Sequence, residues 1–98
     1  MTIEKKANGS ELTIALTGRL DTTTAPQLET EIKGAIAGVK ELVLDMSKLD
    51  YLSSAGLRVL LTAQKTMAKQ GSMKVTNVNE TIMEIFEITG FADILTIE

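Results

Sequence analysis

Neither cysteine nor histidine occurs in the 98 residues, and the second absence excludes more than the first. Without cysteine there is no disulfide and no thiolate chemistry, whatever the compartment. Without histidine there is no Ser-His-Asp or Cys-His nucleophilic centre, and the usual zinc ligand sets cannot be assembled. Tryptophan is also missing, and the aromatic residues are one tyrosine and two phenylalanines, Tyr51, Phe86 and Phe91. The core must therefore be aliphatic, and no stacking platform accompanies the basic residues. Those residues are outnumbered, 10 Lys and Arg against 13 Asp and Glu, for a net charge of −3. They are scattered from Lys5 to Lys74, whereas a phosphate backbone calls for a clustered positive field. No apolar run approaches the roughly 18 residues of a membrane span. The first ten residues, MTIEKKANGS, lack the apolar stretch of a signal peptide. The expectation is a soluble, cytoplasmic, monomeric protein with no nucleic-acid partner, no metal and no cofactor. Phosphate-cradling GxxxxGK[ST] and nucleophile-elbow GxSxG motifs are also missing, which disfavours an enzyme and leaves no catalytic residue to name.

What is present suits one globular domain spanning residues 1–98. Apolar residues make up 44% and charged residues 23% of the chain, an ordinary balance for a fold that needs no staple. Residues 2–7 and 11–17 read as strands, and Asn8-Gly9 between them is a hairpin signal, because both residues tolerate positive φ. In the second strand Leu12, Ile14 and Leu16 alternate with Thr13, Ala15 and Thr17, a strand with one buried face.

A helix follows, with Thr23 or Thr24 as cap, Pro26 in the first turn, and Leu28, Ile32, Ala35, Ile36 and Val39 on one face; Gly38 stops it. Leu42-Val43-Leu44 reads as a central strand over 41–46, covered on both faces. Helical spacing resumes from Ser54 to about Gln70, with Leu57, Leu60, Leu61, Met67 and Ala68 facing inward and Gly71 ending it. Met67, Met73 and Met83 read as core filler. A strand over 72–78 and a helix over 80–89 around Ile82, Ile85, Phe86 and Ile88 come next. Gly90 caps that helix with Phe91 beyond it, and ILTI (94–97) makes a last strand. The order β-β-α-β-α-β-α-β implies an α/β fold, with a mixed, mostly parallel sheet packed with helices.

In such sheets functional groups gather beyond the carboxyl ends of the strands. Two segments meet that description, GRLDTTTAP and MSKLDYLSS, and each leads into a helix N-terminus whose free N–H groups favour an anion. At the second, DYLSSAGL places Ser53 and Ser54 at the helix mouth, followed by the small residues Ala55 and Gly56. Two readings stand side by side. Serine before a helix is a routine cap, and Ala55-Gly56 then only permits close packing. Alternatively one hydroxyl accepts a phosphate, which adds about −1.5 to −2 charges where free N–H groups can meet them. Asp21 likewise reads as a turn residue or a site residue, and Asp45 as the acceptor of a neighbouring backbone N–H.

Five segments in order, LTGRLDTTTAPQLE, ELVLDMSKLDYL, SSAGLRVL, KQGSMKVTNV and EIFEITGFADIL, make nearly the whole chain resemble a STAS domain, in particular a single-domain anti-sigma-factor antagonist. That resemblance implies that Ser54 is the phosphate acceptor, with Ser53 the alternative. It implies a partner-binding surface of Asp21, Thr22, Thr23, Ser53, Ser54, Ala55, Gly56, Leu57 and Arg58. It further implies that the unphosphorylated form binds an anti-sigma factor that is also a serine kinase, and that a metal-dependent serine phosphatase resets the switch. The chain departs from the pattern at Ser53, where an Asp is common. The competing expectation is a soluble STAS subunit or regulatory module of a membrane transport system for lipids or anions.

Overall fold

The computed structural model describes all 98 residues. It opens on a hairpin. Strands β1 (Thr2–Asn8) and β2 (Glu11–Leu20) pair antiparallel, from Thr2 opposite Thr17 to Asn8 opposite Glu11. That register makes Gly9 and Ser10 the two turn residues, one step beyond the expected Asn8-Gly9. Gly9 alone has positive φ, +63°, the conformation that a residue without Cβ adopts most easily.

Helix α1 (Ala25–Ala35) carries the chain to β3 (Glu41–Leu52), and α2 (Ser54–Gln70) carries it on to β4 (Ser72–Thr76). Both crossovers join parallel strands, and the sheet order is β1-β2-β3-β4. Right-handed crossovers that advance the same way across a sheet place their helices on one face. The core agrees: Leu28 and Ile32 of α1, Leu60 and Met67 of α2, and Ile82 and Phe86 of α3 (Glu80–Thr89) form one cluster with Ile14, Leu42 and Leu44 of the sheet. The central strand is thus covered by helices on one face only. Val43 points the other way, lies outside that cluster, and is shielded by its sheet neighbours Thr13 and Lys74. No helix is long and apolar enough to cross a membrane.

Several boundaries differ from the sequence reading, each for a local reason. Strand β2 runs on to Leu20 and β3 to Leu52, so the start of the first segment read as a loop and most of the second are strand. Register shifts between Ala15 and Thr17 and between Gly18 and Arg19 break the two-residue alternation, and the buried positions Met46, Leu49 and Leu52 recur every third residue. Helix α1 ends at Ala35, so Val39 is buried from the connection beyond it. Gln70 closes that end, its Nε2 donating to the carbonyls of Ile36 at 2.8 Å and Val39 at 2.6 Å. On α2 the core face comprises Gly56, Leu57, Val59, Leu60, Ala63 and Met67; Leu61 is half-buried and Ala68 exposed. Ile88 of α3 is 78% exposed and not a core residue. Met67 and Met73 fill the core as expected, while Met83 is half-buried.

Strand β4 stops at Thr76, after which Asn77 takes a left-handed φ of +57°. The expected last strand over 94–97 is a 3-10 turn at Phe91–Asp93 followed by a single bridge from Ile97 to Val75. Gly90 ends α3 in the left-handed region at φ +82°, the usual reason for glycine there. Gly71 ends α2 for a different reason. Its φ of 178° is extended backbone that any residue adopts, but a Cβ would strike the Lys40 carbonyl, which receives the Ser72 N–H at 2.9 Å. Backbone cannot step aside as a side chain can. Gly71→Ala is therefore expected to destabilise the fold by about 2 kcal/mol, read as a lower urea midpoint with unchanged m-value. A change below about 0.5 kcal/mol would show that the α2–β4 junction yields freely.

Candidate functional site

The carboxyl ends of β2 and β3 are tied together under the first turn of α2. The Ser53 N–H donates to the Leu20 carbonyl at 2.9 Å, and the Leu57 N–H to the Ser53 carbonyl at 2.9 Å. Ser53 sits in extended conformation, φ −95° and ψ 173°, as the N-cap of α2, and its Oγ accepts the Gly56 N–H at 3.4 Å. Ser54 is the first helical residue. It is exposed, and no protein group engages its hydroxyl. The two serines thus have different tasks: one is half-buried and capping, the other outward and uncommitted.

Gly56 lies beneath this turn. A Cβ there would come within 2.7 Å of Leu20 Cγ and 2.8 Å of Leu52 Cδ1. Its smallness lets α2 settle onto the strand ends. Gly56 and Leu57, which is 6% exposed, therefore shape the site from below, whereas Ser54 and Arg58 face solvent and Ala55 is half-buried.

The other half of the site is the turn that starts α1. The residue flanking that helix, Thr24, has helical dihedrals and makes no side-chain cap, contrary to the cap expected of Thr23 or Thr24. Asp21 organises the turn instead. Its Oδ1 accepts the Thr23 N–H at 3.0 Å, the Thr23 hydroxyl at 2.7 Å and the Thr24 N–H at 3.1 Å. Thr24 Oγ1 donates to the Arg19 carbonyl and accepts the Asp21 N–H, both at 2.8 Å. Thr22 is exposed and shares a shallow cleft between α1 and α2 with Ala55 and Arg58. Asp45 behaves as read, accepting the Ser47 N–H at 3.0 Å, and it also receives the Asn77 amide at 3.2 Å.

Two residues that the sequence did not flag belong here. Arg19 and Tyr51 are opposite each other in the β2–β3 register, and the guanidinium carbon lies 4.3 Å from the ring centroid. Arg19 Nε also lies 3.7 Å from Asp21 Oδ2. Beside Ser54 lies an apolar groove bounded by Leu57, Leu61, Arg58, Thr89 and Phe91. No group of three or more acidic side chains comes together as a cation site would require.

The Thr23 hydroxyl is the strongest influence holding the Asp21 carboxyl below its ordinary value. The Thr24 and Thr23 amides add to it against partial desolvation. A carboxylate with a lowered folded pKa contributes stability above its unfolded value and loses it as pH falls through the folded one. The turn should therefore persist below pH 3.8, the ordinary value, and then release the Thr23 and Thr24 amides together. A midpoint at or above 3.8 in an amide chemical-shift titration, or an unchanged transition in Asp21→Ala, would contradict this assignment.

A mostly parallel four-stranded sheet, helices on one face and a serine-bearing helix mouth at the strand ends define a small α/β domain with a solvent-facing site. The sequence model of the STAS domain family matches residues 2–98, and the chain belongs to that family. Among its relatives, BtrV of Bordetella bronchiseptica, named as a candidate anti-sigma factor antagonist, is 38% identical over 88% of this chain and 76% of its own length. The anti-sigma-B factor antagonist of Bacillus subtilis is 29% identical over 97% of this chain and 88% of its own. The solved structure of the anti-sigma factor antagonist SpoIIAA in its unphosphorylated form shares the fold, with a TM-score of 0.85 at 20% identity, over 99% of this chain and 88% of that one.

Proposed function

We propose that this protein is an anti-sigma factor antagonist, a binding module whose hold on its partner is governed by phosphorylation of Ser54. The observation that carries the proposal is the separation of the two serines. Ser53 satisfies the helix end, and Ser54 presents an exposed hydroxyl one residue further on. The relatives named above support the partner class, an anti-sigma factor, which in this pathway doubles as a serine kinase; a metal-dependent serine phosphatase restores the hydroxyl. The alternative, a subunit of a transport system, is supported by likeness of fold alone, to a sulfate transporter family protein from Wolinella succinogenes at 17% identity and a TM-score of 0.78.

The unphosphorylated helix mouth, with the groove of Leu57, Leu61 and Phe91 beside it, docks on the partner. Asp21, Thr22 and Thr23 border the same surface. Once Ser54 carries a phosphate, docking must bury a dianion, whose desolvation is costly unless the partner supplies cations. The partner is released and the sigma factor is recaptured. In this account the protein transfers no group itself.

Titration calorimetry with the anti-sigma factor co-purified from the native host tests this. Ser54→Asp is expected to weaken binding on the order of tenfold or more. Ser54→Ala should bind within about twofold and accept no phosphate from the partner kinase. Equal affinity for Ser54→Asp and the unaltered protein would refute the charge switch; phosphate appearing on Ser53 would move the switch to the capping residue.

A further inference from the structure

The chain contains two arginines, and they are placed very differently. Arg19 is committed: Asp21 holds its Nε at 3.7 Å, and the Tyr51 ring lies against it at 4.3 Å. Arg58 is exposed and takes part in no ion pair. It stands four residues after Ser54 on α2, so the two side chains lie on one helix face, one turn apart. Both line the groove beside Phe91. Neither the first turn of α2 nor its cap, Ser53, is acidic, so no carboxylate there competes for the guanidinium. On its other side Arg58 shares a cleft with Glu29 of α1, but Glu29 is paired with Lys33 at 3.6 Å.

We infer that Arg58 is the internal counter-charge of phosphorylated Ser54, closing an (i, i+4) phosphate–guanidinium pair over the first turn of α2. This rests on the reading of Ser54 as the phosphate acceptor and adds a second action to the switch. Before modification the guanidinium is free to meet a carboxylate of the partner. Afterwards the phosphate holds it through charge-assisted, fork-shaped hydrogen bonding. One modification thus adds negative charge and withdraws a cation from the same docking face. The phosphate stays on its own protein, already partly neutralised by Arg58 and by the helix end.

The test needs no kinase. The full chain is made with phosphoserine incorporated at position 54 during translation, and its second phosphate ionisation is followed by 31P NMR. The same measurement is made on Arg58→Gln and on Lys65→Gln, which removes an equal charge from the same helix two turns further on. Arg58→Gln is expected to raise that ionisation by about 0.3–0.6 unit, because a nearby cation favours the dianion. Lys65→Gln should leave it within about 0.1 unit, as expected of a screened charge at a distance. Equal shifts in the two variants would reduce the effect to net charge and overturn the pairing, as would no shift in either. Failure of the partner kinase to modify Ser54 would instead remove the partner-switching reading and leave this titration unaffected.

Discussion

The rest of the structure depends on how closely the first turn of α2 approaches the ends of β2 and β3. Only Gly56 permits that distance, since a Cβ there would lie 2.7 Å from Leu20 Cγ and 2.8 Å from Leu52 Cδ1. Close approach brings the Ser53 N–H onto the Leu20 carbonyl at 2.9 Å, which uses up a strand-end acceptor and a helix-end donor together. Ser53 is then fixed as the cap, and the next residue must point outward. The exposure of Ser54 follows from packing beneath it. A larger residue at 56 would tilt the helix mouth and re-aim that hydroxyl without touching it.

Around this anchor the polar groups are largely committed. Asp21 is occupied with the Thr23 and Thr24 donors and with Arg19. Thr24 bridges the end of β2 to the start of α1. On the opposite edge of the sheet, Glu41 holds Lys74 at 3.1 Å and is the main reason its ammonium group keeps its proton more firmly than usual. Ser54 and Arg58 on α2, and Thr22 across the cleft from them, are the polar side chains of this surface left without a protein partner. A surface on which most groups are already satisfied leaves few ways to change its charge, and adding phosphate to a free hydroxyl is the most direct of them.

The sequence disclosed the helices better than the strands, for a physical reason. The bounds of α2 and α3 agree with their periodicity, because a long amphipathic repeat closed by glycine admits one interpretation. The far half of β3 was hidden because register shifts against β2 gave Met46, Leu49 and Leu52 a three-residue spacing that no regular strand shows, and the last three residues of β2 were missed with it. ILTI is apolar enough for a strand, yet Ile94 stays in the right-handed helical region as the 3-10 turn closes, the Leu95 N–H bonds back to the Phe91 carbonyl, and only the Ile97 bridge to Val75 remains. At the site, the pair of serines stood out in the sequence but their division of labour did not, since either could have capped. Arg19 beside Tyr51 was invisible because residues 32 positions apart in sequence meet only once the shifted register is known.

A phosphate on Ser54 would have little power to unfold the element that bears it. Helix α2 spans 17 residues and buries Leu57, Val59, Leu60, Ala63 and Met67, so several large apolar side chains oppose any unwinding from its first turn. The position itself favours negative charge, because the N-terminal dipole and free N–H groups stabilise an anion there. Modification should therefore tighten the helix mouth and leave the core as it is. With the fold unmoved, the consequence of phosphorylation falls almost wholly on whatever docks at that surface, and a domain of this size can act as a two-state switch without a second conformation of its own.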